Sequence, residues 1–165
     1  MRPRCVITGI GAVSAAGIGI DEIWDSLCAG RSGLAPITAF DTSASPYPFG
    51  GEVKKDDQLI SAREYVPKHY RKATKVMARD TQLAVVAASL AAADAGLVTR
   101  EAGEDSTPTY PSGRVGCHIG AGFIAAETEE LTSALVTAKD EKGAFSLEKW
   151  GEVGIGNLQP LWLLK

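Results

Sequence analysis

The sequence predicts an α/β fold. Two β-like runs, around Cys5-Val6-Ile7 and over Val115 to Ile119, each empty into glycines and are followed by helical patterning. Between them, Ala73 to Ala95 contains no proline or glycine and repeats apolar residues at helical spacing. The chain has 165 residues, 45% hydrophobic and 22% charged, which suits one globular domain with a core and argues against disorder.

Taken in order, Arg4 to Gly9 reads as a strand buried on both faces, because Cys5-Val6-Ile7 is continuously apolar. Asp21 and Glu22 then place negative charge where a helix begins, and Ile23, Trp24, Leu27 and Cys28 mark one apolar face, with Gly30 as the stop. From Arg31 to about Tyr70 the residues Pro36, Pro46, Pro48, Gly50, Gly51 and Pro67 prevent long regular elements. One short strand is expected at Gly51-Glu52-Val53. In the long helix Leu83, Val86, Leu90, Ala93 and Leu97 recur at three- and four-residue steps. Most of its other positions are alanine, so other backbones can approach it closely. Gly96-Leu97 reads as a left-handed cap with its hydrophobic contact.

Thr99 to Ser112 is polar and reads as a surface loop. Val115 to Ile119 reads as a second buried strand that runs into Gly120-Ala121-Gly122-Phe123. A helix is expected from near Ala125, with Leu131, Ala134, Leu135 and Ala138 on one face. Ser146 is placed to cap a short helix through Trp150, and residues 151–157 read as loose. Pro160 suits the first position of a further helix, followed by Leu161, Trp162, Leu163 and Leu164. Four large apolar residues in so short a stub predict that more protein covers them and that the chain is a truncated one.

Charge and cysteine usage exclude several function classes. The net charge is −3 and the pI about 5.4, with no dominating basic patch, so nucleic acid and anionic membrane are not expected partners. Cys5, Cys28 and Cys117 form no CxxC and are odd in number, which reads as buried reduced thiols in a cytoplasmic protein. The histidines, His69 and His118, sit in different contexts, so no metal site is expected. Glycines break the first apolar run, so it is no signal peptide, and no stretch approaches the about 18–20 apolar residues of a membrane span.

The glycine loops are the obvious functional candidates. Gly9 to Ser14, "GIGAVS", nearly spells the dinucleotide fingerprint GxGxxG, but Ser14 replaces the third glycine and the helix signal starts late, at Asp21. A tight exit from a buried strand is the expected role; a dinucleotide-binding domain is the remote alternative. "GAGF" precedes Glu127, Glu129 and Glu130, which would repel a phosphate where the helix dipole would attract it. Close packing or a pocket wall fits it better. Cys117 and His118 point to opposite faces of one strand and cannot pair as nucleophile and base. The basic run 68–75 reads as a solvated helix start, with a docking patch for an acidic partner as the alternative.

Together, "VITGIGAVSAAG", "LCAGRSGLAPITAFD", "ASLAAADAGL", "RVGCHIGAGF" and "PLWLLK" resemble, in order and spacing, the β-ketoacyl-acyl-carrier-protein synthases. These are the elongating condensing enzymes of fatty acid and polyketide synthesis. The resemblance implies a thiolase-like fold, of which residues 1–165 are an incomplete N-terminal half with buried core strands packed by helices. It implies a decarboxylative Claisen condensation of malonyl thioester, with acyl carrier protein and acyl or malonyl thioesters as partners. A homodimer or ketosynthase heterodimer is implied, and no cofactor. The family's catalytic cysteine and histidines lie downstream, so no residue here is assigned a catalytic role and the chain alone is expected to be inactive. A non-catalytic subunit of the chain-length-factor kind is the alternative. "GAGF" resembles the loop whose bulky residue reaches the acyl pocket, which makes Phe123 and Gly122 the candidate substrate-binding residues. Ala78 and Asp80 depart from the family pattern, standing where many members carry an acid and an aromatic.

Overall fold

The computed structural model describes residues 4–103, 105–120, 122 and 126–160. Contacts divide the chain into two compact units, Met1–Lys68 with Leu83–Ile119, and His69–Gln82 with Gly120–Lys165. Among the described residues the strands are short and form three two-stranded antiparallel ribbons beside four α-helices, a mixed α/β architecture.

The first unit opens on a hairpin of β1 (Val13–Ser14) and β2 (Gly17–Ile18), paired Val13 to Ile18 and Ser14 to Gly17. Helix α1 (Ile20–Cys28) follows Gly19, whose φ of 91° only glycine adopts freely. Its start is held by Glu22, whose Oε2 accepts from the Ile18 N–H at 2.9 Å. Its contact side is polar rather than apolar. Ser26 is buried and donates to the Ala16 carbonyl at 2.7 Å. The expected apolar face is therefore not buried: Ile23 is half-covered, whereas Trp24 and Leu27 are each 64% exposed and Cys28 is exposed. Gly30, at φ 64°, ends the helix as expected.

The proline-rich segment is more ordered than its composition suggests. β3 (Leu34–Pro36) pairs with β4 (Phe49–Gly51), so the expected strand lies two residues earlier than Gly51-Glu52-Val53. β5 (Lys54–Lys55) and β6 (Gln58–Leu59) form a hairpin closed by Asp56 and Asp57, at φ 52° and 63°. Two successive positive φ values define the primed turn that matches strand twist. Glu52 clasps the neighbouring loop, accepting from the Thr38 and Ala39 N–H groups and pairing with Lys54 Nζ at 2.6 Å.

The long helix starts later than expected. Ala73–Val76 is a 3-10 turn, Met77 is extended, and α2 runs Arg79–Asp94. Side-chain bonds to the backbone favour that break: Thr74 Oγ1 donates to the Arg71 carbonyl and Gln82 Nε2 to that of Met77. The C-terminus closes as the sequence predicts. Gly96 N–H bonds Ala93 O, and Leu97 N–H bonds Ala92 O, the two bonds of a Schellman cap. Val86 is fully buried on this helix. Gly9 and Gly11 lie against its alanines. A Cβ on Gly9 would stand 2.5 Å from Ala91 O, and one on Gly11 would fall on Ala87 O and Ala91 N. Asp94 Oδ2 accepts from the Ile10 N–H between them, at 2.8 Å.

The two expected buried strands are not strands here. Residues 4–9 and 115–119 pair with no described segment, and Val6 (78%), Ile7 (83%), Val115 (61%) and Ile119 (55%) are exposed. A strand takes its hydrogen bonds from a neighbouring strand, and none lies alongside among the described residues.

In the second unit, α3 (Thr128–Thr137) buries Ala134, and Ala138, which caps its C-terminus, is buried too; these are two of the four expected face residues, while Leu135 stays 42% exposed. The helix begins at Thr128, and Ala125 falls outside the described residues. Helix α4 (Leu147–Glu152) is capped by Ser146, whose side chain accepts from the Lys149 N–H at 3.3 Å. Residues 151–157 are not loose. Gly154–Asn157 forms a 3-10 turn packed on α3, with Gly154 and Leu158 buried. A Cβ on Gly154 would stand 2.9 Å from Ala134 O, so only glycine fits without a shift. Pro160 lies in a turn, and the stub Leu161 to Leu164 is outside the described residues. No described helix is long and apolar enough to cross a membrane.

Candidate functional site

Two helix starts in the second unit flank the candidate residue Gly122. Arg79 and Asp80 form the first turn of α2; Glu127 and Thr128 open α3. With Gly122 and Ala126 they line an open cavity of about 300 Å³. Gly122 is exposed, and a Cβ built on it would meet Asp80 Oδ2 at 3.6 Å, an ordinary contact. Its backbone is outside the left-handed region, so sterics and strain do not demand glycine there. Phe123, the other candidate, lies outside the described residues.

The cavity is electrostatically mixed. Burial pushes the Arg79 guanidinium below its ordinary value, and the Glu127 carboxylate opposes that shift. The guanidinium stays charged throughout the usual pH range. Glu129 and Glu130 add negative charge in the first turn of α3, as the sequence suggested, which disfavours an anion at that helix end. No cysteine or histidine is among the described lining residues. This arrangement can shape and orient a ligand, and its described lining holds neither a thiol nor an imidazole.

The remaining sequence candidates are scattered. Cys5, Cys28 and Cys117 are free but exposed, not buried as expected, because the segments carrying them lack the neighbours that a strand or helix face needs. The His69 ring packs on Tyr70 with centroids 4.3 Å apart, and His118 is exposed. Among the described residues no group of histidine, cysteine and carboxylates is placed to hold a metal. The first glycine loop forms no phosphate cradle in front of a helix: its glycines face the alanines of α2 instead. Sequence reasoning placed Glu127 beside the Gly120–Phe123 loop but missed Arg79 at the cavity. The available signal was two acid-bearing helix starts, Arg79-Asp80 and Glu127-Thr128, but their convergence is tertiary and leaves no mark on spacing.

A mixed α/β segment whose cavity supplies walls and charge, with no thiol or imidazole among its described lining residues, is the class that fold and site define. Its family is shown by comparison. Residues 2–157 match the β-ketoacyl synthase, N-terminal domain, and the chain belongs to that family. It is similar to the 3-oxoacyl-[acyl-carrier-protein] synthase 2 of Synechocystis sp., 37% identical over 122 residues, covering 74% of this chain and 26% of the relative. It is 35% identical over 130 residues to the granaticin polyketide putative beta-ketoacyl synthase 1 of Streptomyces violaceoruber, covering 79% of this chain and 27% of that one. Over 92 residues it is 41% identical to the tetracenomycin polyketide synthase ketoacyl synthase beta subunit of Streptomyces glaucescens, covering 56% and 21%. The chain thus spans about a quarter of the length of the curated relatives it matches.

Proposed function

We propose that residues 1–165 form the N-terminal part of a β-ketoacyl-acyl-carrier-protein synthase with a thiolase-like fold. The intact enzyme would elongate acyl chains by decarboxylative Claisen condensation of malonyl thioester, in the cytoplasm, as a homodimer or ketosynthase heterodimer. The family match over residues 2–157 carries this reading. In such a reaction a thiolate takes the acyl group and hydrogen-bond donors stabilise the developing oxyanion. The thiols and imidazoles described here are exposed and none lines the cavity, so this segment contributes walls and a docking surface rather than the reacting groups. Gly122 and Phe123 are the proposed acyl-pocket residues, and Gly122 lines a cavity together with Arg79, Asp80 and Glu127. Exposed Lys72 and Lys75 are the proposed contacts for an acidic carrier protein. The resemblance to a ketoacyl synthase beta subunit supports a second reading, a non-catalytic subunit that shapes an acyl pocket.

The test is Phe123→Ala in the intact ketosynthase that carries this segment. Condensation should extend toward longer or bulkier acyl chains, since each methylene the vacated space buries is worth about 0.8 kcal/mol. A loss of about 3–5 kcal/mol in stability with an unchanged chain-length profile would mark Phe123 as ordinary core and remove it from the pocket. An intact polypeptide that forms no β-ketoacyl product from malonyl and acyl carrier protein, yet restores condensation by a second ketosynthase subunit, would establish the second reading.

A further inference from the structure

A second cavity, in the first unit, has no part in that reading. It measures about 380 Å³ and is walled by Leu97, Val98, Pro108, Tyr110, Pro111 and Val115. That volume falls within the roughly 300–1,000 Å³ typical of small-molecule sites, as does the apolar lining. The walls are tied together. The Thr109 N–H donates to the Val98 carbonyl at 2.8 Å, and the Val98 N–H donates to Thr109 Oγ1 at 2.8 Å. Pro108 and Pro111 fix their own φ, and the Arg114 N–H closes a turn on the Pro111 carbonyl at 2.8 Å. Arg100 is the charged group among the described lining residues. Leu97, Val98 and Tyr110 nevertheless remain 37%, 41% and 55% exposed, so the apolar walls are open to a ligand.

We propose that this cavity binds a small ligand with an apolar ring or short chain and one anionic end. The apolar body fills the space between Val98, Tyr110 and Val115, and the anion meets the Arg100 guanidinium. Held walls lower the ordering cost of binding, and a guanidinium favours a carboxylate in paired geometry. Neither feature depends on acyl-chain condensation, so this site stands or falls separately from the proposed function.

The probe is 3-phenylpropionate, titrated into the 165-residue chain and followed by amide chemical shifts, with 3-phenylpropanamide as the uncharged counterpart. Saturable shifts centred on Val98, Thr109 and Tyr110 are expected, with the acid bound more tightly than the amide. Arg100→Gln should weaken the acid by roughly three- to tenfold and leave the amide unchanged. Val98→Glu and Tyr110→Asp, both at exposed positions, should each abolish binding while far-UV circular dichroism stays the same. Shifts centred instead on Trp24 and Leu27, or affinity unaltered by both wall variants, would overturn the site. Equal acid affinity in Arg100→Gln would overturn the anionic end. Free solvent exchange of the Val98 and Thr109 amides in the unliganded chain would also overturn it, since the walls are then not held.

Discussion

Gly11 gives the sharpest test of how the first loop packs. A Cβ there falls on Ala87 O and Ala91 N, both backbone atoms of α2, so no side-chain rotation can make room. Either the loop or the helix must shift. Overpacking of this kind costs about 1–3 kcal/mol. Against it stands the smaller entropy of an unfolded chain carrying alanine, worth about 0.4–1 kcal/mol. At the middle of both ranges Gly11→Ala should therefore lose about 1.3 kcal/mol net, or roughly 3–5 °C in melting temperature for a chain of this size. Gly113→Ala is the matched control, because a Cβ there meets nothing within 4 Å and its φ is not left-handed. It should be neutral or slightly stabilising. Thermal melts of the 165-residue chain by circular dichroism compare the two directly. Equal melting temperatures for Gly11→Ala and Gly113→Ala would refute the close approach, and a thermal shift with NAD or NADP would return the loop to nucleotide binding.

Asp57 sits at φ 63° in the β5–β6 turn, a region that costs L residues energy and glycine little. Asp57→Gly should raise stability by about 0.5–1 kcal/mol in urea melts, and Asp57→Val should lower it. Glu52 should make stability pH-dependent. Its carboxyl is held at about 2 against an ordinary 4.5, chiefly by Lys54, with desolvation opposing and the Ala39 and Thr38 donors adding to the lowering. A folded value below the unfolded one means that the contribution is complete above about pH 4.5 and disappears as pH falls through about 2. The stability gap between wild type and Glu52→Gln should thus be constant near neutrality and close between those values. A gap that persists unchanged at pH 2 would contradict the clasp.

What the sequence made legible was what a segment settles by itself. A helix satisfies its own backbone, so its spacing and caps lie within one stretch of chain. Gly96-Leu97 and Ser146 accordingly cap as expected, and Gly30 stops α1. The late start of α2 was missed because it depends on particular side-chain bonds from Thr74 and Gln82, which compete with a run of good helix formers. The Asp56-Asp57 turn was missed because no glycine or asparagine announces its positive φ.

Strands differ in kind from helices. Cys5-Val6-Ile7 states which side chains want burial, but the pairing and cover must come from other segments. Among the described residues none supplies them, and Val6 and Ile7 stand 78% and 83% exposed. The same division explains the site. The family was legible because several motifs recur in order along the chain. The cavity at Gly122 was legible only in part, because Arg79 and Glu127 meet there through folding rather than through spacing. The glycine loop joins the two cases. "GIGAVS" by itself resembles a phosphate loop, and its meaning is decided by alanines at 87, 91 and 95, a four-residue ladder on a different element. Small residues facing small residues mark close backbone packing, and that pairing, read across the chain, distinguishes this loop from a nucleotide cradle.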